Sequence, residues 1–430
     1  MRLKLLILGL LLAGAARAEL RIEITEGVAE AVPIAIVPFG WDGAGEAPVD
    51  VAGVVTADLE RSGRFAPMSQ DDMLERPTSG SDIDFEDWRL LGTDVVVVGK
   101  LLPEADETFT IQFQLFDVFR GEQLLGYRLP STRAALRASA HKVSDMIFEK
   151  LTGIPGAFST RIAYVSVEGE GPDRRFKLIV ADADGENPST IADSPESILS
   201  PAWSPDGRQL AYVSFEGDAS SIYVQTLRTG DRQRLSAHAG VNGAPAFSPD
   251  GRSLAMTLSD PDGNLDIWVM NLASRELRRL TDSDAIDTEA AWTPDGDSLV
   301  FTSDRSGGPQ IYRVSARGGR AERLTFEGNY NARPRVSPTA ENELAVVHID
   351  RGNYRIAIVD VARNTLQVLT EGRLDESPSF APNGSTIIYA TQDGGQGVLA
   401  TVSVDGQVQQ RIVSEEGEVR EPVWSPFPPG

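Results

Sequence analysis

The chain has 430 residues, with 63 Asp and Glu against 40 Lys and Arg, and a formal net charge of −23. At about 100–200 residues per domain it holds two or three domains, or a repeat array with a smaller companion. Its 41% hydrophobic content is that of a globular protein with a sizeable core. So acidic a chain repels phosphate backbones, which excludes a nucleic-acid partner, and the absence of cysteine excludes disulfides, thiolate metal sites and cysteine nucleophiles.

Residues 1–18, MRLKLLILGLLLAGAARA, carry a basic start (Arg2, Lys4), an apolar run and the small-x-small triplet Ala16-Arg17-Ala18. This is the pattern of a secretory signal peptide cut after Ala18. The apolar run is too short for a membrane anchor, which needs about 20 residues. No cysteine follows the cut to accept a lipid, and no later stretch is long and apolar enough to span a bilayer. The expectation is an exported, soluble mature chain.

Residues 19–154 mix strand and helix periods and predict an α/β domain. Leu20, Ile22 and Ile24 alternate with Arg21 and Glu23 as in a strand. Ile34 to Phe39 and the β-branched run Val95 to Val98 predict buried strands. Asp50 is placed to cap a helix through Val51, Val54, Val55 and Leu59 that Gly63 ends. Phe109, Ile111, Phe113 and Leu115 predict a half-buried strand, and Arg120-Gly121-Glu122 a turn into 123–129. Leu136, Ala140, Val143, Ile147 and Leu151 recur at helical spacing. Ser131 or Thr132 is the expected cap of that helix, and His141, near its apolar stripe, is read as structural.

From residue 155 on, one element recurs six times: PAWSPDG (201–207), PAFSPDG (245–251), AAWTPDG (290–296), PRVSPTA (334–340), PSFAPNG (378–384) and PVWSPFP (422–428). The hydrophobic residue before each turn steps by 44, 45, 44, 44 and 44 residues, from Trp203 to Trp424. In Ser-Pro-Asp-Gly, proline presets the second turn position, Asp tolerates the third, and Gly takes the left-handed one that follows. Each turn reverses one strand into a second, such as LAYVS (210–214) or LVFTS (299–303), and a third and a shorter fourth strand follow. Four short strands in about 44 residues is the repeat of a β-propeller blade. The aromatic before each turn is expected to pack between blades. The array opens at Arg161 on a second-strand sequence and ends at Pro428 on a first-strand one, so the C-terminal strand is expected to complete the first blade. This gives six blades and no open edge, and hence an expected monomer. The fourth copy, with Thr339-Ala340 for Asp-Gly, predicts a longer or irregular turn.

No motif in either domain carries catalysis. There is no GxSxG, the turn serines are read as turn residues, and His238 and His348 as a loop and a strand-end residue. Asp260-Pro-Asp262-Gly-Asn264-Leu-Asp266 superficially resembles a calcium loop, but Asn271 stands where an EF-hand has its bidentate Glu. A hairpin turn is the expectation, with no cofactor and no metal. The connections into the six first strands are more informative. They are Leu199-Ser200-Pro201-Ala202, Val241-Asn242-Gly243-Ala244, Asp287-Thr288-Glu289-Ala290, Asn331-Ala332-Arg333, Asp375-Glu376-Ser377 and Arg420-Glu421, and they converge on one end of the channel. That ring is either a docking surface or an ordinary set of solvated loops.

These residues resemble the TolB family, the soluble periplasmic component of the Tol-Pal system of Gram-negative bacteria. The resemblance rests on VPFGW (37–41), DVVVVG (94–99), FEKLTGIPGAFSTRIAYV (148–165), SPAWSPDGRQLAYVSFE (200–216), NGAPAFSPDG (242–251), LVFTSD (299–304) and PVWSP (422–426). It implies a non-enzymatic adaptor that supports outer-membrane constriction at division and envelope integrity. It implies that the lipoprotein Pal binds at the channel mouth, through Asn242, Gly243, Ala244, Thr288 and Glu289, with Ser200, Pro201, Glu376 and Glu421 at its margin. It implies that the C-terminal domain of the inner-membrane protein TolA binds the mature N-terminus, whose core is Glu19, Leu20, Arg21, Ile22, Glu23, Ile24, Thr25 and Glu26. Where some family members have His before Asn-Gly-Ala-Pro, this chain has Val241. The period-2 pattern of 19–26 suits a strand added to a partner's sheet or paired within its own domain. Two other functions compete with the adaptor: a propeller hydrolase acting on cell-wall or ester substrates at the channel mouth, and a small-ligand or cation-binding module.

Overall fold

The computed structural model describes residues 20–26, 31–217, 219–414 and 417–429. The expected signal peptide, residues 1–18, and Glu19 lie outside these. An α/β domain precedes a six-bladed β-propeller.

The α/β sheet orders its strands as Phe65–Pro67, Val32–Ile36, Val95–Pro103, Thr108–Asp117 and Glu122–Thr132, with Gly40–Trp41 also beside Val95–Pro103. The first three run parallel and the last three antiparallel. Val96, Val97 and Val98 are fully buried, as a central strand covered on both faces requires. One face packs on helices Val51–Arg61 and Leu136–Thr152, the other on Trp88 and its neighbours. Asp50 accepts a hydrogen bond from the Gly53 amide at the helix start, as its position predicts. The cap expected for the long helix is absent. Neither Ser131 nor Thr132 caps it, because a 3-10 turn, Arg133–Ala135, intervenes and leaves Ala135 at the N-cap.

Each propeller blade is an antiparallel sheet, four-stranded in the first five blades. In the first blade, Arg161–Glu168, Arg175–Asp182 and Ser189–Ser194 are completed by the C-terminal strand Glu418–Trp424, which pairs with Arg161–Glu168. The end of the chain therefore closes the ring. The turn serines serve the turns. The Ser248 hydroxyl donates to Asp250 at 2.5 Å and accepts from the Ser253 amide at 2.9 Å. That hydroxyl and the Arg252 amide hold the Asp250 carboxyl below its ordinary range. In the fourth copy the Ser337 amide reaches Glu343 O, six residues on, where Ser204 reaches Gln209, five on. The turn is one residue longer, as the missing Asp-Gly implies. Trp203 donates to Val423 O and Trp292 to Ala246 O, each across to the preceding blade.

The segment Leu20–Glu26 is a strand, but it does not pair within the α/β domain. It lies antiparallel to Gln409–Ser414, the outer strand of the sixth blade, with Leu20 opposite Ser414 and Ile24 opposite Gln410. The sixth blade thus has five strands. The reason is spatial. The α/β domain sits on the propeller end where the inner strands finish, against blades six and one. Asn383 donates to Pro155 O at 2.8 Å, Trp424 donates to Thr160 at 2.7 Å, and Arg64 meets Asp405 at 3.5 Å. The chain start therefore emerges beside the free edge of blade six.

Candidate functional site

The inner strands begin at the opposite end of the propeller, and there all six carry the same irregularity. Each has a register shift against its neighbour. At each shift stands a non-glycine residue with left-handed backbone: Ser200, Ala244, Glu289, Arg333, Ser377 and Glu421, with φ between 46° and 56°. Bulges of this type normally take glycine, because a side chain there costs roughly 1–2 kcal/mol. Six such residues ring a channel of about 320 Å³ that runs down to the turn prolines. Four of them, Ser200, Ala244, Glu289 and Glu421, are predicted site residues. Arg333 and Ser377 stand in the expected ring of connections but not among the residues singled out as partner-binding.

The ring is asymmetric. Arg333 donates to Glu289 at 2.7 Å, donates to the Ser377 hydroxyl, and lies 3.6 Å from Glu421. One side chain on blade five thus ties blades four, six and one across the channel. Burial works to lower the Arg333 pKa, but Glu421, Glu289 and Glu376 together outweigh it and raise the value above that of a free guanidinium. Arg333→Ala leaves two carboxylates facing each other. The groups are only partly buried, so we expect a loss of about 2 kcal/mol, between the limits for surface and buried pairs. Urea denaturation measures it, and a midpoint equal to wild type would refute the role.

The other predicted residues divide by exposure. Gly243, Thr288 and Glu376 are half-buried at the mouth, and Pro201 is buried beneath it. Asn242 offers no surface. It is fully buried, and its side chain accepts from Ser236 and the His238 amide and donates to His238 O at 2.7 Å. It anchors the loop rather than presenting itself to a partner. Asn331 and Asp375 do the same one and two blades from Asp287, which takes Arg305 at 2.7 Å. Around the mouth stand exposed apolar side chains: Val241, noted above, at 44% exposure, and three the sequence reading did not gather, Phe215, Ile286 and Phe326, at 38%, 47% and 59%. They lie on loops of blades two to five and alternate with the exposed acids Asp262, Asp282, Asp284 and Glu327.

The Asp260–Asp266 stretch forms a hairpin turn, in which Asp260 accepts from the Asp262 and Asn264 amides at 2.9 Å. Asp266 is taken by Arg279 at 2.5 Å. His238 is exposed, and His348 is buried against Asn331 at 3.0 Å. His141 is more than a core residue. Its Nδ1 lies 2.7 Å from Asp58 and its Nε2 3.5 Å from Asp184 of the propeller. The two carboxylates stand on opposite ring nitrogens, and each also takes a guanidinium, Arg61 at 2.9 Å and Arg137 at 2.5 Å. That arrangement bridges the two domains, with Arg137 and Asp184 as an ion pair across them, and the ligand atoms of Asp58, His141 and Asp184 lie within 4.8 Å of one another, a spacing that fits a metal ion. Burial works to raise the Asp184 pKa, but Arg61, His141 and Arg137 outweigh it and hold its carboxyl below the ordinary range.

Comparison with known proteins gives the family. Residues 148–428 match the TolB beta propeller domain model and residues 20–124 the TolB amino-terminal domain model. A Tol-Pal system protein TolB from Thioalkalivibrio sulfidiphilus is 56% identical over 425 residues, 98% of this chain and 97% of that one. One from Xanthomonas campestris is 49% identical over 95% of this chain and 93% of its own. The crystal structure of TolB from Acinetobacter baumannii superposes with a TM-score of 0.88 at 44% identity, covering 95% of this chain and 100% of that chain. A strand-closed propeller with a bulged channel ring, an α/β domain on its far end and both family models in register leaves one assignment: the chain belongs to the TolB family of Tol-Pal system proteins.

Proposed function

We propose that this protein is a non-enzymatic periplasmic adaptor. It docks the lipoprotein Pal on the channel mouth and the C-terminal domain of TolA on its N-terminal strand, and so supports outer-membrane constriction and integrity. The observation that carries the first half is the mouth itself. It is an end of the propeller free of the α/β domain, with a rim of exposed apolar side chains around a sunken polar ring. Scattered exposed apolar residues need no explanation, but several around one opening favour a protein interface. The acids among them favour a partner with a basic face, whose binding weakens as salt rises.

The test is calorimetric titration of the mature protein with the soluble domain of Pal from the same organism, comparing wild type with Thr288→Arg. Thr288 is half-buried at the mouth, where its hydroxyl meets that of Thr257 at 3.3 Å. A long cation there blocks close approach. Wild type is expected to bind one to one, and the variant at least about 100-fold more weakly, with unchanged circular dichroism. A well-folded wild type that does not bind Pal overturns the reading. Sedimentation of the free protein is expected to give a monomer, since the closed ring leaves no strand edge that must pair.

A further inference from the structure

Two residues below the left-handed ring, five of the six inner strands line the channel a second time, with Ala202, Ala246, Ala291, Arg335 and Val423. The first residue after each register shift is Ala202, Ala246, Ala291, Arg335, Ser379 and Val423. Five blades place a small or apolar residue there and the fifth blade places an arginine. Arg335 lines the same channel of about 320 Å³, whose wall at this depth is proline, alanine and aromatic.

Its only side-chain hydrogen bond among the described residues runs from Nη1 to the carbonyl of Pro334, its own neighbour, at 2.9 Å. No carboxylate of the described residues forms an ion pair with it. The acids whose charge it feels, Glu289 and Glu421, belong to the layer above and are engaged by Arg333. Burial pulls the Arg335 pKa below its ordinary value, joined by the repulsion of Arg333 and opposed by Glu289 and Glu421. A guanidinium presents five donors in a fixed fork and stays charged in proteins. Half-buried in the channel wall without a counter-charge in contact, it carries a partial desolvation cost that an anion from solution offsets.

We propose that the mid-channel of this propeller is a small-anion site, with the Arg335 guanidinium as its binding group. The ligand is a chloride, a small oxyanion or a short carboxylate, small enough to pass the turn prolines and hydrogen-bond to the free guanidinium donors. The site lies beneath the Arg333 crossbar and is separate from the mouth proposed for Pal. It does not depend on that reading.

The repeat itself supplies the test, because three blades already carry alanine at this position. Arg335→Ala is therefore expected to fold. Thermal midpoints of wild type and Arg335→Ala are measured in rising sodium chloride, sodium sulfate and sodium acetate. General salt effects are shared by the two proteins and cancel in the difference. At least one salt is expected to raise the wild-type midpoint by about 3 °C more than that of the variant, and which salt does so identifies the anion class. In low salt the variant is expected to be as stable as wild type or more so, since it no longer holds an unpaired charge. The same salt response in both proteins overturns the proposal. So does an Arg335→Ala protein less stable than wild type in low salt, because Arg335 would then be a packing residue.

Discussion

Deleting residues 418–430 is expected to abolish cooperative folding of the propeller. Those residues supply the inner strand of blade one, the single strand that closes the ring against the order of the chain. Val419 is 1% exposed in a cluster with Ile162, Tyr164, Ile388 and Leu399, which joins blades six and one. Removing the strand bares that cluster and the inner edge of Arg161–Glu168. It also takes Glu421 away from Arg333 at the channel and frees Thr160 from Trp424. The loss exceeds the 5–15 kcal/mol that separates a typical domain from its unfolded state. Circular dichroism during heating should show no sharp transition for the propeller. A milder variant gives the scale: Trp424→Ala, at a half-buried aromatic, is expected to cost about 3 kcal/mol. A truncated chain that melted within a few degrees of wild type would mean that the ring closes without this strand.

Deleting Glu19–Glu30 is expected to abolish binding of the TolA C-terminal domain, by more than about 100-fold, and to leave Pal binding intact or stronger. The strand Leu20–Glu26 is an outermost, fifth strand. Its register on Gln409–Ser414 breaks between Ile24 and Glu26. Edge strands held mainly by backbone pairing exchange readily for another strand. The deletion should therefore leave the hydrophobic clusters of the blades in place and the melting point close to wild type. Calorimetry with each partner and circular dichroism read the result together. Loss of both partners with loss of fold would show that the segment is a structural strand only. Undiminished TolA binding would place that contact elsewhere on the protein.

Much of the molecule was legible in the residues. The SPDG turn states its own chemistry, and six copies at a 44-residue register imply six blades. Because the turn residues act locally, their reading did not depend on the fold. The Val95–Val98 run likewise declared a central strand. The cap of the helix Leu136–Thr152 was misread because the chain inserts a 3-10 turn between Thr132 and Leu136, and nothing in the local pattern signals that turn.

The candidate site was half legible. Ser200, Ala244, Glu289 and Glu421 were singled out at the starts of the inner strands, and Arg333 and Ser377, at equivalent positions in the same expected ring, were not. Their significance comes from reach. Arg333 bridges three other blades, and no sequence distance indicates that contact. Asn242 looked like a presented polar residue and is instead sealed in the wall by its loop, since its side chain satisfies groups that water would otherwise bind. His141, read as a core residue, bridges two carboxylates 83 and 43 positions away in sequence, one of them on the other domain.

The sequence by itself determined the repeat, the turns, the alternation of each strand, the closure by the chain end and the family. All of these follow from side-chain preference within a few residues or from a pattern repeated at fixed spacing. Only the tertiary structure decided where the N-terminal strand pairs, which ring residues meet across the channel, that the α/β domain leaves the mouth free, and that Arg335 stands without an acid in contact. These depend on which surfaces the closed ring brings within a few ångströms, and a chain that closes its ring with its last strand sets those distances only when folding is complete.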